Sequence, residues 1–393
     1  MDRTTAIERV GAIGGGQLAW MMASAARGLG LQLAVQTPKA SDPAAPDAAE
    51  VILAAVDDAE ATARLAASCQ VITFENEFVD LPALSRLEAR GVCFRPALSV
   101  LAPLLDKYEQ RCHLQKMGLP VPAFTILETD PKEPGAIATP AENPLGWPAV
   151  IKARRHGYDG QGTAIAADAA ALDRIWHQWG RPSVVLEQFV PFERELAVVA
   201  ARSPSGEIAI YPVVETQQER QVCRRVLIPG DLSEAVTHKC EAIARQLLES
   251  LDAVGVFGIE LFLEPNGQVS VNEIAPRTHN SGHLTIDACE TSQFEQHLRA
   301  VCDRPLGSTA LTGVGAVMVN LLGYEDSHSD YAEKRRQLAA VEGARVYWYG
   351  KNQSRPGRKL GHVTVVLTHT PSPSLREQSL AIARQLESIW YPS

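Results

Sequence analysis

Two glutamates in neighbouring apolar runs carry the clearest chemical signal of the sequence. Glu260 and Glu273 flank residues 264–267, whose Glu-Pro-Asn-Gly composition is typical of a type I turn. A hairpin about this turn sets Glu260 opposite Val271, with Glu273 two residues further along the same face. Carboxylates on such a diagonal lie roughly 7–8 Å apart and repel each other, whereas magnesium binds carboxylate and phosphate oxygens together. The pattern predicts a magnesium site, and a solvated acidic face is the alternative.

A lysine followed by a glycine-rich run forms a second candidate site. Lys152 ends an apolar run, and Gly157, Gly160 and Gly162 follow it closely. The backbone N–H groups of the loop 157–163 can fold over phosphates while the lysine supplies positive charge. The GxxxxGK[ST] pattern of a P-loop is absent. The alternative is a flexible hairpin with a surface lysine.

The apolar run 184–190 is a candidate for contacts with a nucleotide base. It leads through Pro191 into Glu193 and Glu195. Backbone groups at the end of such a strand can pair with the edge of an adenine, and Glu195 can reach a ribose hydroxyl. The alternative is a plain core strand with a charged exit.

Two long polar side chains follow the metal-binding strand at once. Arg277 and His279 come shortly after Glu273, and they can orient an anionic intermediate. For His283 we expect an ordinary structural role. Asn272 adjoins Glu273, although the alternation of side chains along a strand directs Asn272 to the other face unless the strand twists or ends there.

The glycine run near the start of the chain allows three interpretations. Gly14 to Ala19 fits G-x-G-x-x-G/A between a strand and a helix, which suggests a dinucleotide site. The next strand, 31–35, continues into Gln36 and Thr37 rather than ending in the acidic residue such a site requires. A tight turn without a ligand remains possible, as does a turn whose N–H groups face another anionic substrate.

The elements that position these residues suggest three domains. Strands and helices alternate in residues 1–100, which predicts a parallel α/β sheet. Paired strands separated by turns in 101–305 predict an α+β domain on antiparallel sheet. Residues 306–393 contain strands at 315–321, 344–349 and 362–367 and a closing helix.

Composition excludes several classes of protein. The net charge of −9 over 393 residues argues against nucleic-acid binding. The seven cysteines are odd in number and form no CxxC pair, so zinc and disulfide frameworks are not expected and a reducing compartment fits best. With no signal-peptide pattern and no membrane-spanning run, we expect a cytoplasmic protein without membrane contact.

Six motifs, in this order, resemble the N5-carboxyaminoimidazole ribonucleotide synthetases, a family of ATP-grasp enzymes. The resemblance covers nearly the whole chain. The motifs are Gly14-Gly-Gly-Gln-Leu18, Ile72-Thr-Phe-Glu75, Gly157-Tyr-Asp-Gly-Gln-Gly162, Asn272-Glu-Ile-Ala-Pro-Arg277, His279-Asn-Ser-Gly-His283 and Arg355-Pro-Gly-Arg-Lys-Leu-Gly-His362.

This resemblance implies an ATP-grasp fold with an N-terminal Rossmann-like domain (1–100), the ATP-grasp domain (101–305) and a small β-rich C-terminal domain (306–393). It implies ATP and Mg²⁺ as cofactors, 5-aminoimidazole ribonucleotide and bicarbonate as substrates, and a homodimer. The chemistry that the resemblance implies has two stages: bicarbonate attacks the γ-phosphoryl group to form carboxyphosphate, and the ribonucleotide amine then takes the carboxyl group.

The resemblance also assigns roles to residues. Those that bind ATP are Lys107, Lys152, Gly157, Tyr158, Asp159, Gly160, Gln161, Gly162, Thr163, Glu187, Gln188, Phe189, Val190, Glu195, Asn272 and Glu273. Magnesium is held by Glu260 and Glu273. Those around the ribonucleotide and the activated bicarbonate are Tyr158, Asp159, Arg277, His279, Lys351 and Arg358. The basic segment 350–359 suits a ribonucleotide phosphate, and a solvated basic turn is its alternative.

Some positions depart from the family pattern, namely Trp20, Asn76, Lys107, Gln161, Gln218 and Thr278. They leave open a different acceptor on the same fold, as in a formate-using glycinamide ribonucleotide transformylase or an amino-acid ligase. A nucleotide-binding regulator without turnover and a nicotinamide dehydrogenase are the alternatives from other classes.

Overall fold

The computed structural model describes residues 6–130, 132, 135–155, 157, 162–228, 231–369 and 374–392. Within these ranges the chain forms three sheets with helices packed against them, and the predicted mixture of α/β and α+β structure is confirmed. None of the helices in this part of the chain is long and apolar enough to cross a membrane.

The first sheet is parallel, as the alternation of strands and helices predicts. Its strands, in the spatial order β3-β2-β1-β4, are β1 (Arg9–Ile13), β2 (Gln32–Thr37), β3 (Glu50–Leu53) and β4 (Val71–Phe74). Its helices are α1 (Gln17–Gly28), α2 (Ala59–Ser68), α3 (Leu81–Glu88) and α4 (Leu98–Leu101). Val10 packs with α1 on one face and Ile13 with α2 and α3 on the other. Burial on both faces is typical of parallel strands.

The second sheet is antiparallel and follows helix α5 (Lys107–Lys116). Its strands, in the order β5-β8-β6-β7, are β5 (Phe124–Leu127), β6 (Ala149–Ala153), β7 (Thr163–Ala166) and β8 (Val184–Gln188). Helix α6 (Ala169–Gln178) covers one face, where Trp176 packs against Leu186 in a buried cluster. This sheet places Lys152 and Glu187 side by side, because β6 and β8 are neighbours.

The third sheet has nine strands and includes those of the predicted C-terminal domain. The strands are β9 (Arg194–Arg202), β10 (Ile208–Ile210), β11 (Val214–Glu219), β12 (Val222–Ile228), β13 (Gly255–Leu263), β14 (Val269–Ala275), β15 (Gly315–Leu322), β16 (Ala344–Trp348) and β17 (Lys359–Leu367). The helices are α7 (Glu234–Ser250), α8 (Thr285–Ala288), α9 (Gln293–Val301), α10 (Ala332–Ala339) and α11 (Leu375–Trp390). Pairing of β12 with β15 makes the sheet continuous.

One predicted strand is divided in the structure. The sequence suggests a single strand over 207–215, but Ile208–Ile210 and Val214–Glu219 are separate strands that both pair with β9. Pro212 lies between them and has no backbone N–H to donate to the ladder. The prediction of one continuous strand is therefore wrong.

Strand β14 lies at the edge of the third sheet, and helix α5 covers it. The Gln110 amide accepts from the Ile274 N–H (3.0 Å) and donates to the Ile274 C=O (3.1 Å). Arg111 donates to the C=O of Asn272 at 2.5 Å. These bonds satisfy backbone groups that an edge strand would otherwise leave unpaired, and they fix α5 against the hairpin that carries the two glutamates.

Candidate active site

The hairpin β13–β14 contains a bulge that brings the two glutamates face to face. Leu261 pairs with Val271, but Glu260 pairs with Glu273, so Asn272 is an extra residue in its strand. The predicted pairing of Glu260 with Val271 is therefore wrong. A bulge leaves one residue without a ladder partner and re-aims its side chain, so the two carboxylates are direct neighbours rather than diagonal ones.

The bulge also turns the Asn272 side chain toward the glutamates. Its Nδ2 donates to Glu260 Oε2 at 3.2 Å, and its Oδ1 accepts from Lys152 Nζ at 3.0 Å. The prediction from strand alternation sent this side chain to the other face and is wrong for the same reason. A carboxylate, an amide and a lysine thus meet at one point of the sheet.

Lys107 neutralises one of the two carboxylates. It is the first residue of α5, and its Nζ lies 2.5 Å from Glu273 Oε1. Burial opposes ionisation of Glu273, but Lys107 outweighs it and the pKa of that carboxyl is lowered. Burial and the neighbouring Glu273 raise the pKa of Glu260 to about 7. Ionising both carboxyls together therefore requires further positive charge.

The donor set fits magnesium. The two carboxylates supply oxygen atoms, which are the ligands magnesium takes. Among the described residues no group of three or more His, Cys, Asp or Glu side chains is arranged to hold a metal ion. A cation between Glu260 and Glu273 would therefore need further ligands from water or phosphate, which is the usual arrangement for magnesium.

A buried ion triad lies behind the pair. Glu187 Oε1 accepts from Arg111 Nε at 2.7 Å, and its Oε2 lies 2.8 Å from Lys152 Nζ. Burial alone would raise the pKa of Glu187, but the two cations lower it to about 2. Burial lowers the pKa of Lys152, and Glu187 opposes this shift. Arg111 was missed by sequence reasoning, although it follows Lys107 by four residues on one helix face.

The start of helix α5 is held by Asp106. Its side chain accepts from the backbone N–H of Tyr108 (3.0 Å) and Glu109 (3.3 Å), as an N-cap does. The same carboxylate accepts from Arg154 Nε at 3.0 Å. Lys107 is thus presented from a fixed helix end.

A cavity of ≈ 620 Å³ opens beside this cluster. Both Lys107 and Glu273 line it. The other lining residues are Asp57, Glu77, Phe78, Val79, Asp80, Leu81, Pro82, Ala102, Leu104, Leu105, Arg154, Arg155, Gly157 and Ile274. This volume is within the range of small-molecule sites.

The glycine turn after β1 wraps around a partly buried carboxylate. A Cβ added to Gly14 or Gly16 would lie 2.5 Å from an oxygen of Glu75, which follows β4. The Leu18 N–H at the start of α1 also bonds to Glu75. The turn thus faces an anionic group of the chain itself. The sequence indicates Glu75 only as part of a motif.

Glu75 connects three parts of the chain electrostatically. Burial raises its pKa to about 7, and Arg277 and Lys351 oppose this shift. Lys351 Nζ donates to the Lys359 C=O at 2.8 Å and lies over the Tyr349 ring at 5.6 Å. The structure therefore brings the predicted residues Arg277 and Lys351 to one carboxylate.

Arg277 and His279 both contact acidic groups. Arg277 Nε lies 3.0 Å from Glu77 Oε1. His279 Nε2 lies 3.4 Å from Glu260 Oε1, so this ring reaches the glutamate pair. His283 is buried, and burial lowers its pKa well below the ordinary value.

Arg358 is linked to the glycine turn through Asp42. It donates to the Gln353 C=O at 2.8 Å. Burial and Arg355 lower its pKa, and Asp42 opposes them. Asp42 accepts from Thr37 at 2.5 Å, and Thr37 packs directly against Gly15.

The remaining predicted nucleotide contacts lie along β7, β8 and β9. Thr163 pairs with Lys152, and the Gly162 C=O accepts from Ala153 at 2.7 Å. Glu195 is opposite Phe262, and burial followed by Glu260 raises its pKa to about 7. Residues 188–190 follow Glu187 at the end of β8. Four predicted residues, Tyr158, Asp159, Gly160 and Gln161, lie outside the described residues, and Gly157 lines the cavity.

The structure defines the surroundings of Trp20, Thr278 and Gln218, three positions that depart from the family pattern. Trp20 donates to Asp47 at 3.0 Å, and its ring meets Tyr349 edge-on at 6.2 Å. Thr278 is buried, with no hydrogen-bond partner for its hydroxyl in the described part of the chain. Gln218 lies beside a bulge in β11. These positions leave the glutamate pair and its cations in place.

Three family models match the chain in sequence order. They are the ribonucleotide synthetase preATP-grasp domain (7–102), the ATP-grasp domain (112–294) and the phosphoribosylaminoimidazole carboxylase C-terminal domain (316–373).

Curated relatives and solved structures agree with these matches. The N5-carboxyaminoimidazole ribonucleotide synthase of Synechococcus elongatus is 55% identical over 98% of this chain and 96% of its own length. The Thermotoga maritima synthetase structure superposes with a TM-score of 0.84 at 37% identity, covering 98% of both chains. An Aspergillus clavatus synthase in complex with ADP and 5-aminoimidazole ribonucleotide gives 0.86 at 30% identity and the same coverage. The chain therefore belongs to the N5-carboxyaminoimidazole ribonucleotide synthase family of ATP-grasp proteins.

Proposed function

We propose that this protein is an ATP-dependent carbon–nitrogen ligase that carboxylates the amine of 5-aminoimidazole ribonucleotide to N5-carboxyaminoimidazole ribonucleotide in purine biosynthesis. Relatives that match nearly the whole chain are named N5-carboxyaminoimidazole ribonucleotide synthase. The observation that carries the proposal is the direct pairing of Glu260 with Glu273 beside Lys107 and Lys152. Such a cluster suits the phosphates of ATP, since it combines oxygen ligands with buried cations.

ATP binding is assigned to the two sheets that meet at this cluster. Lys107 and Lys152 face the phosphates as point charges. The loop 157–163 contributes backbone N–H groups over them, and residues 187–190 contribute backbone groups to the base. Glu195 accepts from the ribose. The pKa of Glu187, lowered to about 2, supports a constantly charged triad that holds Lys152 in place.

Magnesium is assigned to Glu260 and Glu273. When bound, it supplies positive charge that offsets the negative charge developing on the transferred phosphoryl group. Asn272 donates to Glu260 and accepts from Lys152, so it sets the direction of both side chains. With magnesium bound, Lys107 can contact the phosphates of the nucleotide as well as Glu273.

The ribonucleotide is assigned to the space between the glycine turn and the C-terminal basic segment. Lys351 and Arg358 suit its phosphate. Glu75 lies where Arg277 and Lys351 meet, and it is a candidate acceptor for the hydrogen bonds of the sugar or the amine. Tyr158 and Asp159 are assigned to the same space from the family motif.

The proposed reaction has two steps, a phosphoryl transfer and a carboxyl transfer. A bicarbonate oxygen attacks the γ-phosphorus of ATP, the bond to ADP breaks, and carboxyphosphate forms. The amine of the ribonucleotide then attacks the carboxyl carbon, phosphate leaves and the amine loses a proton. Arg277 and the Nε2 of His279 are assigned to the carboxyphosphate, because His279 already reaches Glu260. Water must be excluded during the first step, since it would hydrolyse the intermediate.

Several finer assignments accompany this proposal. Bicarbonate as the carboxyl donor and a homodimer are proposed from the resemblance to the family. The cytoplasmic location and the domain boundaries at 100 and 305 are proposed from the sequence.

The experiment that tests the proposal follows ¹³C-labelled bicarbonate into product by NMR. With ATP, magnesium and 5-aminoimidazole ribonucleotide, we expect one labelled carboxyl group on the ribonucleotide amine per ADP formed. Glycinamide ribonucleotide with formate serves as the control acceptor pair and should give no product. Label that stays in bicarbonate while ADP forms would contradict the proposal.

A further inference from the structure

Helix α9 sends a buried glutamine under the loop that carries His279. The Gln293 side chain accepts from the His279 N–H at 2.9 Å and donates to the His279 C=O at 2.7 Å. A side-chain amide that bonds both backbone groups of one residue imitates a neighbouring strand. His279 lies just beyond β14, so this residue is fixed where the ladder has ended.

We infer that Gln293 is a positioning residue for the proposed reaction and that it aligns His279 with Glu260. The assignment of a chemical role to His279 rests on the proposed function, whereas the hydrogen bonds of Gln293 do not. Gln293 has no exposed surface (0%), so these bonds are shielded from water. A buried amide in such a place is retained only when its donors and acceptors are satisfied.

A third bond fixes the orientation of the amide and the state of a neighbouring histidine. Gln293 Nε2 lies 3.1 Å from His283 Nδ1. Because Oε1 accepts from an N–H group, Nε2 must be the donor on this side, and His283 Nδ1 accepts. The neutral His283 ring therefore carries its proton on Nε2.

Close packing restricts the movement of residues 279–283, the loop to which Gln293 is hydrogen-bonded. A Cβ added to Gly282 would lie 2.6 Å from Gln293 Oε1, and one added to Gly258 would lie 2.4 Å from the His279 Cβ. The His279 ring is also held by Ser281, whose Oγ lies 2.9 Å from Nδ1. Backbone and ring are thus restrained separately, and the Nε2 atom is left to face Glu260.

Helix α9, which carries Gln293, is hydrogen-bonded to strands of two different sheets. His297 Nδ1 accepts from the Val256 N–H at the start of β13 (3.1 Å), and its Nε2 lies 2.7 Å from Thr73 Oγ1 in β4. Helix α9 therefore holds a fixed position between the first and third sheets. A displacement of about 1 Å in a reacting group can cost roughly 100-fold in rate.

The chain offers a matched control on the same helix. Gln296 is equally buried (0%), and its amide donates to the Gly307 C=O at 2.7 Å and accepts from the Gly307 N–H at 2.8 Å. This second clamp fixes the connection between α9 and β15 instead of His279. Gln293→Met and Gln296→Met therefore remove the same kind of contact from one helix.

The test compares the two variants for turnover and thermal unfolding. We expect Gln293→Met to lower kcat about 10- to 100-fold with the KM for ATP little changed, and Gln296→Met to keep kcat within about 2-fold at a similar loss of Tm. A kcat loss in Gln293→Met no larger than that in Gln296→Met would overturn the inference. If Gln293→Met does not fold, Gln293→Glu, which keeps the acceptor for the His279 N–H, takes its place.

A double-mutant cycle shows whether Gln293 acts through His279. In a His279→Ala background, Gln293→Met should lower kcat by less than about 2-fold; the full loss in that background would overturn the inference. Wild-type turnover of the ribonucleotide in the same assay tests the proposed function separately. Should the wild type fail to turn over, the His279 imidazole ¹H–¹⁵N resonances must still shift in Gln293→Met and stay unchanged in Gln296→Met.

Discussion

Replacement of Glu187 by glutamine should destabilise the protein strongly, because both Arg111 and Lys152 form an ion pair with this carboxylate. All three side chains are at most 8% exposed. The pKa of Glu187 is about 2 against an ordinary 4.5, and that difference corresponds to about 3 kcal/mol. In Glu187→Gln the new NH₂ group would also face one of the two cations. We therefore expect the free energy of unfolding to fall by about 3 kcal/mol.

Urea denaturation followed by tryptophan fluorescence measures this loss, since Trp176 is buried against the same sheet. The matched control is Glu333→Gln, which removes an exposed ion pair with Arg336 and should change stability by less than about 1 kcal/mol. A Glu187→Gln protein within about 1 kcal/mol of the wild type would refute the reasoning.

The same carboxylate makes a prediction about pH. Its folded pKa lies below its unfolded value, so its contribution is complete above about pH 4.5 and is lost as the pH falls toward about 2. The difference in stability between wild type and Glu187→Gln should therefore narrow as the pH is lowered through that window. A difference that widened would show that the triad does not hold Glu187 ionised.

Three further variants test the rest of the site. Glu273→Gln should lower ribonucleotide-dependent ADP release at least about 100-fold, whereas Glu264→Gln in the hairpin turn should not change it. Gly16→Ala should weaken ribonucleotide binding in a calorimetric titration, because its Cβ would lie 2.5 Å from Glu75. Gly28→Ala, at the end of the helix that follows Gly16, has open space around its Cβ and should bind the ribonucleotide normally. Burial raises the pKa of Glu75 to about 7, so ionisation of this carboxyl costs free energy in the folded state but not in the unfolded state. The free energy of unfolding of Glu75→Gln, measured in urea, should therefore exceed that of the wild type by more at pH 8 than at pH 5.

Much of the scaffold follows from local patterns. Alternating apolar residues and the turn at 264–267 predict the hairpin, and the parallel first sheet follows from its strand–helix alternation. The register of the hairpin does not follow, because the bulge at Asn272 accompanies contacts from Arg111 and Lys152 far away in sequence. A register set by such long-range contacts cannot be inferred from side-chain alternation.

The polar residues that position the site were the hardest to predict. Gln110 and Gln293 bond the backbone of Ile274 and His279, yet a glutamine in a helix usually indicates an exposed face. The sequence gives Glu75 no role beyond its motif. Glu75 follows β4, whereas the glycine turn that surrounds its carboxylate follows β1. The roles of these residues are visible only when the elements are packed together.

The central claim is that the site couples ATP cleavage to carboxylation of the ribonucleotide, and ADP release measured with and without 5-aminoimidazole ribonucleotide tests it most directly. With ATP, magnesium and bicarbonate present, we predict strong stimulation of ADP release by the ribonucleotide and loss of that stimulation when bicarbonate is removed. ADP release that is the same with and without the ribonucleotide, or that does not depend on bicarbonate, would contradict the account.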